Sequence, residues 1–242
     1  MIGIITNVAA VFIGGILGSV FGSRLPDNLV KQLNKVFGIC AMSMGISSIT
    51  LMQNMPAVVL AMILGSSLGL IICLGDKIAA GGQAMGRAAN RLLSGMSKAG
   101  MSPDEFESLL VTAIVLFCSS GTGIYGSLDA GMTGNVTVLM AKSVLDLFTA
   151  MIFACNLGIV TSFVALPQLI IFTMLFLLAG VIYPLTTPVM INDFKACGGF
   201  ILVATGFRIA KIADFPIADM IPAMILVMPV SSIWTNFIVP LL

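Results

Sequence analysis

The chain has 242 residues, 59% of them hydrophobic and only 9% charged, with a net charge of +1. Soluble domains carry about 25% charged residues, so this chain cannot cover a water-facing surface, and its balanced charge holds nothing for nucleic acid. It has no histidine, which removes the usual general base and the commonest transition-metal ligand.

Crossing the hydrocarbon of a bilayer takes about 20 apolar residues. In chain order eight segments qualify, at about 2–22, 35–52, 56–74, 105–126, 136–157, 163–184, 196–213 and 217–240. The expected fold is therefore all-α, a single polytopic transmembrane domain over residues 1–242 with about eight membrane helices. The weakest links are the turns near Gln53–Pro56 and Asp214–Asp219; merging both would leave six spans.

Span one has no basic region before it and no small-residue cleavage site, and reads as a retained span. It carries Ala10, Gly14, Gly18 and Gly22 at four-residue spacing, a stripe that lets another helix backbone approach closely. A homo-oligomer through the Gly14/Gly18/Gly22 face is one use of it; Gly65 and Gly69 repeat the device in span three. The five cysteines, Cys40, Cys73, Cys118, Cys155 and Cys197, lie in or beside apolar runs with no CxxC spacing and read as buried thiols.

Basic residues set the orientation. Arg24, Lys31 and Lys35 follow span one, Lys77, Arg87, Arg91 and Lys98 follow span three, and Arg208 and Lys211 end span seven. With eight spans these share one side, Lys195 falls on the other and Lys142 lies within a span. The positive-inside rule makes the shared side cytoplasmic and places both termini outside. The polar stretch 76–100 repeats Ile78, Met85 and Leu92 every seventh residue and reads as a cytoplasmic interfacial helix or a solvated linker.

The halves resemble each other. Gly38 and Gly45 of VFGICAMSMGIS align with Gly199 and Gly206 of CGGFILVATGFR at one offset, and PAVVL at 56–60 matches PAMIL at 222–226. Spans two and three thus pair with seven and eight in opposite orientation. This predicts an inverted repeat, spans 1–3 (2–74) against spans 6–8 (163–242), flanking a central helix pair at 105–157. Inverted repeats recur in secondary transporters, whose sites lie near the midplane where repeats meet.

SPDE at 102–105 is a helix start: Ser102 as cap, Pro103 at the first position, Glu105 completing a capping box. From Phe106 the helix runs to about Ser119, too short to cross. The following SGTGIYGSLDAGMTGN, residues 120–135, is rich enough in glycine to weaken a helix. It reads as an exposed outer loop or as a broken, re-entrant element whose backbone lines a polar cavity. Gly121, Thr122, Gly126, Ser127, Asp129 and Asn135 are its candidate ligand-binding residues.

Span five then carries Lys142, Ser143 and Asp146 near its middle. A charge at the centre of a membrane helix costs about 2.5–3.5 kcal/mol. The two charges sit at i, i+4 and can pair, with Asn7, Asn156 and Thr205 as candidate partners from other spans. The pair is either an interhelical clamp or a substrate or proton site, with Asp146 protonatable and Lys142 its counter-ion or an anion anchor.

The run FCSSGTGIYGSLDAGMTGNVTVLMAKSVLD resembles a signature of the uncharacterised bacterial inner-membrane family typified by the YqgA and YdfK proteins. The resemblance rests on Gly121, Gly126, Gly131, Gly134, Lys142, Ser143 and Asp146, and on the early Gly3, Asn7, Gly14 and Gly18. Members often have an acidic residue after the last glycine; here it is Asn135, which weighs against a charged role there. The resemblance implies a bacterial inner-membrane protein suspected of transport. The resulting expectation is a secondary transporter of a small polar or ionic solute, with no cofactor, no metal and no enzymatic reaction. The alternatives are an ion channel and a non-transporting oligomeric scaffold or sensor.

Overall fold

A computed structural model describes residues 1–21, 27–81, 84, 103–118 and 120–241. The described chain is helical: α1 (Ile2–Phe21), α2 (Asp27–Ile49), α3 (Met55–Ile71), α4 (Leu74–Gly81), α5 (Pro103–Cys118), α6 (Gly121–Thr133), α7 (Thr137–Leu157), α8 (Val160–Phe163), α9 (Ala165–Ile182), α10 (Pro188–Ile209) and α11 (Ile221–Ile233). By length and composition five helical segments can cross a membrane, or six if α3 and α4, bent by 59° at their junction, form one span. The apolar part of α2 is shorter, Lys35–Ile49. Exposed Ile5, Phe12, Ile16, Ile63, Leu64, Met174 and Leu177 give these helices an apolar outer surface suited to lipid. Both weak links are real breaks, since α2 ends six residues before α3 begins and α10 and α11 are separate helices. Cys118 and Cys197 are buried as expected, but Cys40 and Cys73 are exposed. The interfacial helix expected over 76–100 and the Ser102 cap lie mostly or wholly outside the described residues.

The described chain forms two compact units. The first comprises Met1–Leu33 and Ile78–Gly180. In it α1 and α7 run parallel and in close contact. A Cβ on Gly3 would meet Val136 and Leu139, one on Gly14 the carbonyl of Leu147, and one on Gly18 the carbonyl of Met151. The face expected to pair two copies is thus occupied by α7 of the same chain at Gly14 and Gly18, and Gly22 lies outside the described residues. After Gly158, whose φ of +64° suits only glycine well, the chain makes the short turn α8. Ser162 fastens that turn by donating to the Phe12 carbonyl at 3.0 Å. Val11, Phe106, Leu110, Phe117, Ala150 and Val160 fill one core, while Ile4, Ala130, Leu139 and Phe172 fill a second.

The glycine-rich stretch is neither a loop nor an irregular break. Residues 121–133 are the helix α6, and the interruptions fall at its two ends. Ser120 caps it by accepting from the Gly123 amide at 3.3 Å, and Gly134 closes it with φ +74°. Its glycines serve packing: Gly123 seats the Phe172 ring, Gly131 the Phe176 carbonyl and Ala179, and Gly126 the Leu139 side chain. The propensity cost of about 1 kcal/mol per glycine is offset by contacts that only a missing Cβ allows. The preceding helix α5 does stop at Cys118, as its expected length required.

The second unit comprises Asn34–Lys77 and Val181–Leu242. Here α2 and α10 cross antiparallel with backbones touching. A Cβ on Gly38 would lie 2.6 Å from the Gly206 oxygen and one on Gly206 2.6 Å from the Gly38 oxygen; Gly45 and Gly199 repeat this reciprocal contact at 2.6 Å. α3 and α11 pack antiparallel through Gly65 against Ala223 and Gly69 against Asp219. α11 contains Pro229 and is continued by a π-turn, Trp234–Ile238.

Helix α10 begins at Pro188, not near 196. The helix takes in Asn192, Asp193 and Lys195; Thr187 caps it by accepting from the Met190 amide and Pro188 takes a first-turn place. Asp193 is tolerated because it is saturated. Its Oδ1 accepts from the Gln53 and Asn54 amides at 2.8 and 3.0 Å, and its Oδ2 from Asn54 Nδ2 at 3.0 Å and Ser231 Oγ at 2.6 Å. That carboxylate also lies at the positive end of α3.

Candidate functional site

Lys142 and Asp146 lie one turn apart on α7, on the face that also buries Leu139, Ser143, Ala150 and Ala154. The Lys142 ammonium contacts both carboxylate oxygens of Asp146, at 2.9 Å (Oδ1) and 2.7 Å (Oδ2). Parallel packing of α1 on α7 brings Asn7 to the same level, and its Nδ2 donates to Asp146 Oδ2 at 2.9 Å. From α9, Gln168 Nε2 donates to Asn7 Oδ1 at 2.8 Å and to Asp146 Oδ2 at 3.3 Å. Three helices thus close a ring around one carboxylate. The centre is sealed: Asn7 and Gln168 are 0% exposed, Lys142 2% and Asp146 7%.

The network fixes the Gln168 amide. Turning it over would set its oxygen against two acceptors, so the NH₂ faces Asn7 and Asp146. Its Oε1 is left buried with no hydrogen-bond partner. One turn further along α9, the Phe172 ring lies 6.0 Å from Lys142 Nζ and also packs on the first turn of α6 at Gly123.

Of the residues anticipated from sequence, Asn7, Lys142 and Asp146 meet directly. Ser143 is buried beside them but donates to the Leu139 carbonyl of its own helix at 2.7 Å. Thr122 is buried at the start of α6 and donates to Ser120 Oγ at 3.3 Å. Ser127 is 0% exposed and its hydroxyl has no partner. Asp129 is buried and its Oδ1 accepts from Thr133 Oγ1 at 2.8 Å. Gly121 opens α6, and Gly126 packs on Leu139. Asn135 stands apart, exposed and accepting from the Thr137 amide at 3.0 Å to turn the chain into α7. Asn156 is exposed, and Thr205 donates to the Ile201 carbonyl of its own helix.

Sequence reasoning missed Gln168 and the buried Asp193. Gln168 was findable as the amide inside the apolar run ALPQLIIF, a placement as costly as that of Asn7. Among the described residues, every polar contact on the Asp146 carboxylate comes from a donor, so the ring holds a negative charge beside the Lys142 ammonium.

Comparison with known proteins gives a family and two relatives. Residues 2–232 match a family described as "Protein of unknown function (DUF554)". The chain is 45% identical over 235 residues to the Escherichia coli (strain K12) "Uncharacterized protein YqgA", covering 97% of this chain and 98% of that one. It is 26% identical over 235 residues to the Bacillus subtilis (strain 168) "Uncharacterized membrane protein YdfK", covering 93% of each. No solved structure matches.

Proposed function

The chain belongs to this family, DUF554, and is a helical membrane protein; from that premise we propose that it is a secondary transporter of a small polar or ionic solute in the bacterial inner membrane. The observation that carries the reading is the Lys142–Asp146 ion pair, held by Asn7 and Gln168 halfway along an apolar helix. A pair that served only to clamp helices would be as well replaced by apolar packing, since burying both charges recovers little net stability. Ionisable residues inside membrane helices mark substrate and proton pathways.

Two further features support a carrier. The first turn of α6, just after the α5–α6 interruption, packs at Gly123 on the Phe172 ring that also lies 6.0 Å from Lys142; in transporters with broken helices such helix ends lie beside the solute. The glycine contacts of α2 with α10 are reciprocal: the offset that relates Gly38 to Gly199 and Gly45 to Gly206 exchanges one contact for the other. That favours an inverted repeat over chance likeness. The positive-inside rule then puts both termini outside. No reaction is assigned to the protein, and any homo-oligomer would use a surface other than Gly14 and Gly18.

The test is uptake of a panel of labelled small anions, cations and zwitterions into proteoliposomes. At least one is expected to be carried by the wild type and not by a folded Asp146→Asn. A solute carried equally well by Asp146→Asn and Lys142→Ala would remove the pair from the pathway.

A further inference from the structure

The donors around Asp146 identify what it can bind. Every group that reaches the carboxylate gives a hydrogen: the Lys142 ammonium, the Asn7 amide and the Gln168 amide. Sodium or potassium would need several oxygens turned inward at this point, and it would sit against an ammonium already in contact with both Asp146 oxygens. A proton needs one lone pair and no coordination shell, and it can bind once the Lys142 ammonium, whose contact favours the ionised carboxylate, moves off.

A second observation points to water. Gln168 Oε1, Ser127 Oγ and Thr161 Oγ1 are buried side-chain atoms without a partner among the described residues, each on a residue 0% exposed. Buried polar atoms of this kind are ordinarily satisfied by ordered water. Their placement is not scattered. Thr161 precedes Gln168 by two turns along α8 and α9. Ser127 lies on α6 between Gly123, which touches Phe172, and Gly131, which touches Phe176 and Ala179. Gln168 is in contact with Asp146, while Thr161 lies before it in the chain and Ser127 lies on the helix that packs against the turns after it.

We infer that the ion bound at this centre is the proton, carried on Asp146 and exchanged through water held at Gln168 Oε1, Ser127 Oγ and Thr161 Oγ1. The inference rests on the carrier reading above and names its coupling ion. In the loading step a hydronium gives its proton to an Asp146 oxygen; an O–H bond forms and a water is left. The carboxylate loses its charge, while Lys142 keeps its proton and loses its counter-ion. That ammonium is then available to a solute acceptor. Discharge reverses the step, the O–H proton passing to water as the Lys142–Asp146 pair closes again. Among neighbouring elements, α5 brings the Cys118 thiol and α6 brings Tyr125 and Asp129, while α1 and α9 present the neutral Asn7 and Gln168.

The experiment is infrared difference spectroscopy of the intact protein in lipid nanodiscs, perfused between alkaline and acidic sodium-free buffer, without solute. The wild type is expected to show a carboxylic-acid band on acidification. That band should vanish in Asp146→Asn, persist in Asp193→Asn, and shift in Gln168→Leu. Its deuterium exchange should slow in Ser127→Ala and Thr161→Val. Sodium pulses at constant pH should leave it unmoved. A band that survives Asp146→Asn, or one displaced by sodium, overturns the inference. If Asp146→Asn does not fold, an unshifted band in folded Gln168→Leu overturns it instead. Because no solute is present, the outcome separates from the transport reading: solute flux without this band sinks the proton alone, and the band without flux of any solute sinks the carrier.

Discussion

Lys142 and Asp146 are each costly without the other. Removing one partner strands a buried charge, and such losses run to about 3–5 kcal/mol. Lys142→Ala and Asp146→Ala should each destabilise the protein by amounts of that order. The double variant should lose clearly less than the two singles together, because no charge is left uncompensated. Denaturant titration in mixed micelles measures this cycle, and strict additivity would mean that the two side chains do not hold each other. Asn7 was legible at this scale, as an amide in an apolar stripe. Gln168 was equally visible by type, but nothing local aligns residue 168 with residue 146. Their meeting depends on how three separate helices pack.

Helix α6 shows where propensity and packing part company. Five glycines within residues 120–135 predict a poor helix, and taken alone the segment would be one. At Gly123, Gly126 and Gly131, however, the missing Cβ admits a neighbour that a larger residue would push away, as with Phe172 at Gly123 and the Phe176 carbonyl at Gly131. The same logic holds for α1 on α7. Gly18→Ala places a methyl against the Met151 carbonyl, a backbone atom that cannot swing aside, and should destabilise by about 1–3 kcal/mol. Gly180→Ala has nothing within 4 Å of the new methyl and should be neutral or mildly stabilising. Comparing the two variants by thermal unfolding checks the argument; equal stability would show that α1 and α7 do not need this close approach. Ser120 and Gly134, which cap α6, are the boundary signals that the glycine count obscured.

At the scale of the molecule, the expected orientation rests on charge and parity. The parallel packing of α1 with α7 requires that the chain recross between them, which the α5–α6 pair can supply. With cations following spans one, three and seven inside, accessible tags at both termini should be labelled from the outer face of intact cells, and thiols introduced at Ile212 only after permeabilisation. Labelling of the two termini from opposite faces would rule out an even count of crossings and with it the proposed inverted repeat.

Composition alone determined that this chain lives in a membrane as a set of helices, because 59% apolar residues admit no other solvent. Local spacing determined that Lys142 and Asp146 would meet, since i, i+4 neighbours on a helix face each other whatever surrounds them. Only the tertiary structure decided that Gln168 completes the ring, that residues 121–133 are helical and that Asp193 sits inside α10 with four donors on it. Those outcomes depend on the register between helices distant in sequence. That register is set by backbone contacts at Gly14, Gly18 and Gly131 and by the Phe172 ring on Gly123, partners that no local pattern of residues specifies.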